Sequence, residues 1–304
     1  MALQASGQIS LNDLHVEAGG SSGTECSFND SDIRDLIDKG SAAQSAMNEF
    51  YGASSVTAPV WNSSTKTFDL GTPDVIHTKT GNFTLAYNGA CAIIAIGGGG
   101  GGGSEDDRNS QSTGGGGGGV AIKGFIGTTS MSFTASRGAG GRIADDWQNP
   151  YWNGPGEAGG ATTVSGNGIS LTANGGGKGH VEGYSGYGTT SGGTASGGDA
   201  NYTGGSAPDP SGTGGYMVSG GGGAGGGNGT AATSSGQQVS GGTSPLRTGW
   251  LASYIGNGGQ GWAQGSNGGN YGGGGGGGNN WNEGQNDGNG GRGAAGIILV
   301  CYWT

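Results

Sequence analysis

Residues 91–103 read Cys91-Ala92-Ile93-Ile94-Ala95-Ile96 and then run without a break from Gly97 to Gly103, so that an apolar segment leads directly into one without side chains. The residues before the run are apolar at every position, which is typical of a central strand buried on both faces of a sheet. A second fully apolar segment, Ile297 to Trp303, predicts another strand of this kind. We expect the two strands to pair and to close the glycine-rich chain between them into one unit.

Several other segments alternate between apolar and polar residues, the pattern of half-buried strands. One group precedes the first glycine run and another follows it, and together they predict a mainly β body of the β-sandwich-like class. The predicted strands lie at 66–70, 75–78, 82–87, 120–126 and 130–135 and around Ile169, Leu171 and Ala173.

The composition by itself would suggest a disordered chain. Glycine supplies 81 of the 304 residues, and only 11% of the residues are charged. Collagen requires glycine at every third position with abundant proline, whereas this chain has long glycine runs and 7 prolines. A disordered chain has no need of alternating strands at regular intervals. The strands therefore favour a folded body.

The glycine runs need a folded arrangement that offsets their entropic cost, about 0.5–1 kcal/mol per residue relative to Ala. Polyproline-II helices have three residues per turn and no internal hydrogen bonds. Without side chains, such helices can lie close together, exchange backbone hydrogen bonds and add weak Cα–H···O contacts. The predicted body therefore combines β-strands with packed polyglycine segments in polyproline-II geometry.

Two domains are predicted from the distribution of glycine, because residues 1–90 hold only nine of them. Residues 1–55 form the first domain and contain a degenerate repeat of small, apolar, Asn and acidic residues, at 10–13, 27–30 and 46–49. The first two copies place Ser as a helix N-cap with Asp three residues on, and 32–40 predicts a short helix ending at Gly40. Helices this short must dock on another part of the chain or on a partner protein. Residues 56–304 form the second domain.

The residues between the glycine runs are predicted to be loops at the ends of the bundle, at 104–113, 142–158, 206–219, 230–255 and 279–287. Mobile loops on a rigid body are a common binding architecture. Tyr and Trp suit such loops because they offer a large contact area at low entropic cost. Alternatively, these rings cover glycine backbone. The candidate binding residues are Asp145, Asp146, Trp147, Tyr151, Trp152, Asn153, Trp250, Tyr254 and Trp281.

The sequence argues against several functional classes. A net charge of −10 does not suit binding to nucleic-acid phosphates, and no apolar run is long enough for membrane insertion. The three cysteines, Cys26, Cys91 and Cys301, lack the spacing of a zinc site, although Cys91 and Cys301 are expected to come close in space. His15, His77 and His180 show no metal-ligand spacing. We therefore predict that the protein is not an enzyme and has no metal site and no cofactor.

Both ends of the sequence resemble known proteins. The pattern Gln8 to Leu14, together with 33–36 and 47–52, looks like the leader of many tailed-bacteriophage virion proteins. The glycine-rich body, ending in 290–300, resembles the glycine-rich domain of phage tail and tail-fibre proteins and is similar in composition to tail-tip adhesins. The resemblance implies a tail fibre or tail tip protein whose leader attaches to other virion proteins. The residues expected to carry that attachment are Leu11, Leu14, Phe28, Ile33, Leu36, Met47 and Phe50.

The resemblance further implies that the loops recognise a host cell-surface receptor, either a protein or a glycan, and it allows a homo-oligomer. Because Met1 to Gln4 lack the features of a signal peptide, we expect assembly in the host cytoplasm and exposure on the particle. A head fibre or another purely structural virion protein is the main alternative. A free ice-binding or matrix protein is a third possibility, but it would require a secretion signal and regular polar faces.

Overall fold

The computed structural model describes residues 3, 8–37, 39, 44–50, 57–105, 111–143, 154–181, 188–210, 217–233, 237–262, 264–279 and 288–303. These residues are mainly β. The helices within them are α1 (Leu11–Glu17), α2 (Ser31–Asp35) and two 3-10 helices, Met47–Phe50 and Gly249–Ser253. The strands are β1 (Trp61–Asn62), β2 (Thr67–Phe68), β3 (Val75–Lys79), β4 (Phe83–Thr84), β5 (Gly89–Ile96), β6 (Ser104–Glu105), β7 (Val120–Gly127), β8 (Ser132–Ser136), β9 (Thr162–Gly166), β10 (Ile169–Ala173), β11 (Ala195–Ser196), β12 (Ala200–Tyr202), β13 (Gly278–Asn279) and β14 (Ile297–Trp303).

The first five-stranded sheet has the order β12-β7-β5-β14-β3. Its centre is the antiparallel pair β5 and β14, in which Ile96 lies opposite Ile297 and Cys91 opposite Tyr302. The predicted pairing of the two fully apolar strands is therefore confirmed. Both strands are apolar at successive positions because each face of this sheet is covered by other parts of the chain.

The second five-stranded sheet has the order β11-β10-β9-β8-β4 and packs on one face of the first. Its strands alternate between buried and exposed residues, as in β8, where Phe133 and Ala135 point inward. These side chains meet Ile93, Ala95 and the other inward residues of the first sheet in one apolar cluster. The two sheets form the expected β-sandwich-like arrangement.

The opposite face of the first sheet is covered by the β1–β2 hairpin and the 3-10 helix Gly249–Ser253. The ring centroids of Trp61 and Phe68 in the hairpin are 5.0 Å apart, and those of Phe68 and Trp303 are 4.9 Å apart. The two central cysteines show how sharply the faces are separated. Cys91 belongs to the cluster between the sheets, whereas Cys301, on the adjacent strand, belongs to the cluster under the hairpin.

Beyond the sheets the chain continues as a lattice of glycine-rich segments. The backbone N–H groups of Gly98, Gly99 and Gly100 donate to three different segments, through the carbonyls of Gly160, Ala294 and Gly116. The next three residues repeat the same order of acceptor segments. This three-residue period is that of a polyproline-II helix, whose hydrogen bonds all run to neighbouring helices.

Fourteen such segments can be traced through the hydrogen bonds of the described residues. Each of four inner segments, 97–103, 113–119, 218–224 and 272–278, exchanges backbone hydrogen bonds with six neighbours. Ten outer segments surround them, and each is bonded to the next, so that the ring is closed. In order around the ring, the outer segments are 138–143, 154–160, 174–181, 188–194, 204–209, 227–233, 237–243, 256–262, 264–271 and 288–296.

Because each inner segment is surrounded by six others, the packing is hexagonal. This packing explains why the longest glycine runs contain no other residue type. A Cβ atom added at Gly99, Gly100 or Gly117 would lie closer than 3.0 Å to backbone atoms of a neighbouring segment. An inner segment has a neighbour in every direction, so side chains occur only at the ends of these segments, at Thr113, Val218, Ser219 and Ala224. An outer segment faces solvent on one side, where it carries residues such as Ser191 and Thr194.

The N-terminal residues form a separate apolar cluster around Leu14, Ile33 and Phe50. In all three copies of the repeat, the acidic residue accepts the backbone N–H of the residue three positions earlier: Ser10 to Asp13, Ser27 to Asp30 and Ala46 to Glu49, at 2.7 Å each. Only the first copy is a complete capping box.

Two sequence expectations for this region need correction. Ser27 does not cap the second helix, which begins at Ser31 with Asp30 at its N-cap. Ser27 and Asp30 instead close a turn before the helix. The helix expected over 32–40 ends as α2 at Asp35 and continues as a turn through Ile37, and Gly40 lies outside the described residues.

The predicted loops were too long, because lattice segments begin within them. Gly154 to Ala158 belong to an outer segment, and the range 230–255 contains the outer segment 237–243 and the 3-10 helix Gly249–Ser253. Serine, threonine and glutamine interrupt the glycine pattern at these places without ending the lattice. Such residues are accommodated because they occupy the exposed positions of outer segments.

Candidate functional site

The lattice has two distinct ends. At the sheet end, segments continue directly into strands, as 97–103 does from β5 and 288–296 does into β14. We call the opposite end the distal end. There, seven segments that run away from the sheets end, and seven segments that run back towards the sheets begin. The described residues on either side of the seven distal connections are 105 and 111, 143 and 154, 181 and 188, 210 and 217, 233 and 237, 262 and 264, and 279 and 288.

We call the segment ends from which the distal connections start and to which they return the exits. Short β-bridges join neighbouring exits. Ser104 pairs with Gly154, Ser112 pairs with both Val181 and Val218, and Trp262 pairs with Gly278. Between the exits, Met217, Val218, Ala232 and Val239 form a small buried cluster. The distal end is therefore a packed platform, from which each connection starts and returns in neighbouring segments.

Buried hydroxyl groups complete the hydrogen bonding where the lattice stops. The Ser104 hydroxyl accepts from the backbone N–H of Gly290 at 2.9 Å, and that of Ser219 accepts from Gly114 at 3.0 Å. The Ser112 hydroxyl donates to the carbonyl of Gly278 at 2.8 Å. A backbone group at the end of a segment lacks the next turn of a neighbour, and these hydroxyls take its place.

His180 and Asp209 are titratable groups at this end that influence each other. Burial, together with the nearby Lys178 ammonium, lowers the pKa of His180, while the Asp209 carboxylate acts in the opposite direction. Burial raises the pKa of Asp209, and His180 opposes that shift. Burial thus disfavours the charged form of each group, and each partner's charge opposes that effect.

The exposed side chains divide the outer ring into two parts. The charged part carries Arg142, Glu157, Lys178 and Arg292. Four consecutive segments, 227–233, 237–243, 256–262 and 264–271, contain no charged residue, and we call them the uncharged face. Their exposed side chains are Ser, Thr, Asn and Gln, with Trp262 at the distal edge.

The predicted binding residues do not come together in the described part of the chain. Trp250 and Tyr254 lie at the sheet end, with ring centroids 6.4 Å apart, and pack against the cluster that covers the first sheet. Their packing partners are thus apolar side chains of that cluster. Asp145, Asp146, Trp147, Tyr151, Trp152, Asn153 and Trp281 lie outside the described residues.

Trp262 was missed by the sequence reasoning, although its side chain is 42% exposed at the distal edge. It stands within 256–272, which was treated as a glycine-rich run. An available signal was the position of Trp262 immediately before the break in that run at Ala263-Gln264.

The predicted attachment residues do come together. Leu14, Ile33 and Phe50 are buried in the N-terminal cluster, and Leu11, Leu36 and Met47 pack against it partly buried. The Phe28 ring lies 6.0 Å from the Phe50 ring and remains 39% exposed. Of this set, Phe28 is therefore the residue best placed to contact another protein.

Metal binding and membrane insertion each require a particular arrangement of the described residues. No group of three or more His, Cys, Asp or Glu side chains is arranged to hold a metal ion there. None of the helices in those residues is both long and apolar enough to span a membrane.

A β-sandwich prolonged into a closed lattice of polyglycine helices defines a glycine-rich β protein. The chain belongs to the glycine-rich domain family, whose profile matches residues 77–303. The match starts within β3 and ends at the last residue of β14, so it includes the first sheet's central strands and all fourteen lattice segments. No curated protein matches the chain.

Proposed function

We propose that the protein is a structural component of a tailed-bacteriophage particle, at the tail fibre or tail tip, and that its distal connections recognise the host surface. The observation that carries the proposal is the polarity of the body. All seven distal connections emerge from one end of a rigid lattice, while residues 57–68, which follow the N-terminal region in the chain, pack at the opposite end. Such a body can be held at one end and can bind at the other.

The lattice suits recognition because hydrogen bonds between its segments hold both ends of each distal connection, whatever the sequence of that connection. Every distal connection joins two outer or inner segments that are hydrogen-bonded to each other. Binding residues on loops can then vary while the scaffold stays fixed. The aromatic residues of 144–153 and 280–287 remain the candidate receptor contacts, together with Asp145 and Asp146.

Attachment to the particle is assigned to residues 1–55. The N-terminal cluster has its own buried centre, and it leaves Phe28 and Val16 exposed as apolar side chains for a virion partner. Deleting residues 1–55 should leave the body folded and should abolish incorporation into particles. Phe28→Ala should reduce incorporation, whereas Asn29→Ala, an exposed neighbour, serves as the matched control. Normal incorporation of the deletion protein contradicts this part of the proposal.

Recognition is tested with the purified protein and with particles that carry variants. The protein should bind host cells and compete with phage adsorption, and Trp147→Ala or Trp152→Ala should alter host range. Trp250→Ala is the control, because that residue packs at the sheet end. If the protein neither binds cells nor competes, and the loop variants leave host range unchanged, recognition is rejected in favour of a head fibre or decoration. Imaging the labelled protein in the particle separates tail from head directly.

A further inference from the structure

A short antiparallel bridge at the distal edge creates a small exposed patch on the uncharged face. The N–H of Val239 donates to the carbonyl of Gly261 at 3.0 Å, and Gly261 returns the bond at 3.1 Å. This register sets Gln238 opposite Trp262 and Ser240 opposite Gln260. These four residues are exposed while Val239 and Gly261 are buried, so the four side chains share one side. We call them the Trp262 patch.

The polar groups of the Trp262 patch are held in place by hydrogen bonds. The side-chain amide of Gln238 donates to the Gln260 side-chain oxygen at 2.9 Å. The backbone N–H of Gln260 donates to the Ser266 hydroxyl at 2.6 Å, and that of Ser240 donates to Thr230 at 2.9 Å. A site whose groups are already ordered loses less entropy when it binds a ligand.

The Trp262 patch lies on a face whose described segments carry no charged residue. Residues 210–282 contain a single charged residue, Arg247, although the whole chain carries a net charge of −10. Arg247 precedes the 3-10 helix at the sheet end and donates to the carbonyl of Ala252. Within the described segments of the uncharged face, a polyanion finds no cation and a cationic ligand finds no carboxylate.

An exposed indole beside fixed amide and hydroxyl groups matches a ligand that is neutral, rich in hydroxyl groups and apolar on one face. We propose that the Trp262 patch binds a neutral carbohydrate, with a sugar ring stacked on the indole and its hydroxyl groups bonded to Gln238 and Gln260. Indole rings combine a large apolar surface with a polar edge, which suits such a contact. The inference rests on the proposed function, for which it identifies the receptor as a neutral glycan.

The direct test is affinity electrophoresis of the purified full chain through gels containing dextran, glycogen or galactomannan, with hyaluronate as the anionic polymer. At least one neutral polymer should retard the protein, and Trp262→Ala should raise the dissociation constant tenfold or more. Gln260→Leu, which keeps the size of the side chain and removes its amide, should weaken binding as well. Asn267→Ala, an exposed amide of the uncharged face on another segment, is the matched control.

Cell binding distinguishes a failure of this inference from a failure of the proposed function. Periodate oxidation of host-cell glycans should abolish binding of the protein, and Trp262→Ala should do the same on untreated cells. If cells bind the protein equally after oxidation, or if Trp262→Ala binds every polymer and the cells normally, the carbohydrate site is overturned while recognition stands. Binding to a purified surface protein alone, or to hyaluronate alone, also overturns it. If cells do not bind the wild-type chain at all, the proposed function itself falls.

Discussion

At the scale of single residues, the fold depends on glycine, which carries only a hydrogen atom where other residues carry a side chain. The glycines of the inner segments bring the backbones of neighbouring segments so close that no Cβ atom fits between them. Their role is therefore steric as well as conformational. Glycine positions differ in this respect, because Gly81 has open space where its Cβ would be.

This difference gives a matched pair of substitutions. Gly100→Ala would press its methyl group against the carbonyl of Gly177 and should destabilise the protein by about 3 kcal/mol or more, since overpacking in a rigid interior is costly. Gly81→Ala should change the free energy of unfolding by less than about 1 kcal/mol. Denaturant unfolding of both variants measures the contrast. Equal effects at the two positions would contradict the hexagonal lattice.

The cysteines give a second prediction at this scale. Burial raises the pKa of the Cys91 thiol to about 11, and burial also raises the pKa of Cys301 well above its usual range. All three cysteines are free, and only Cys26 is partly exposed. At pH 8 a thiol reagent should therefore modify Cys26 in the native protein, with Cys91 and Cys301 reacting after unfolding. A rapid reaction of three thiols in the native protein would show that the central sheet is open.

At the scale of elements, the N-terminal repeat is a local hydrogen-bonding device. The hydrogen bonds from the backbone and hydroxyl of Ser10 lower the pKa of Asp13, and the bond from Lys39 followed by the backbone N–H of Ala46 lowers that of Glu49. A carboxyl group whose pKa is lower in the folded state stabilises that state above its unfolded pKa. This contribution is lost as the pH falls through the folded pKa.

The N-terminal cluster should consequently loosen in acid before the lattice does, because the lattice is held by backbone groups that do not titrate. Ser10→Ala, which removes the cap of α1, should destabilise the N-terminal region by about 1 kcal/mol. Asp13→Asn should remove most of the acid sensitivity of α1. Amide exchange of residues 11–17, measured between pH 6 and pH 3, tests both effects. If the exchange of Asp13→Asn depends on pH as strongly as that of the wild-type protein, the role assigned to Asp13 is refuted.

At the scale of the whole molecule, the lattice is ordered from the inside outwards. Amides of the four inner segments should exchange with solvent most slowly, because their opening breaks bonds to six neighbours at once. Outer segments at the edge of the uncharged face, such as 264–271, should exchange faster. Hydrogen exchange read by mass spectrometry tests this order. The opposite order would mean that the sheets, rather than the lattice, hold the body together.

Much of this architecture could be predicted from sequence, because the spacing of apolar residues along a strand indicates which of its faces are buried. The apolar strands 91–96 and 297–303 were predicted to pair, since segments without a polar face must be buried on both sides. The packing of polyproline-II helices could also be predicted, because the backbone groups of long glycine runs must form hydrogen bonds with neighbouring segments. The four runs uninterrupted over at least four residues, 97–103, 114–119, 220–223 and 272–278, coincide with the inner segments.

Other features could not be predicted, because they depend on which segments become neighbours. The closed ring of ten outer segments arises from contacts across the whole body, and nothing local in 237–243 distinguishes that segment from a polar loop. The Trp262 patch depends on the register between Val239 and Gly261. Trp250 and Tyr254 resembled loop aromatics until the 3-10 helix placed them against the first sheet.

The pairing of neighbouring segments at each distal exit has a consequence for how this protein can diversify. An insertion at any of the seven connections starts and ends at two points whose spacing the lattice fixes, so segments of unrelated length and sequence are interchangeable there. Recombination between related genes could exchange one connection at a time through the glycine codons on either side of it. Under the proposed function, new specificities would then arise by cassette exchange, without any compensating change in the scaffold.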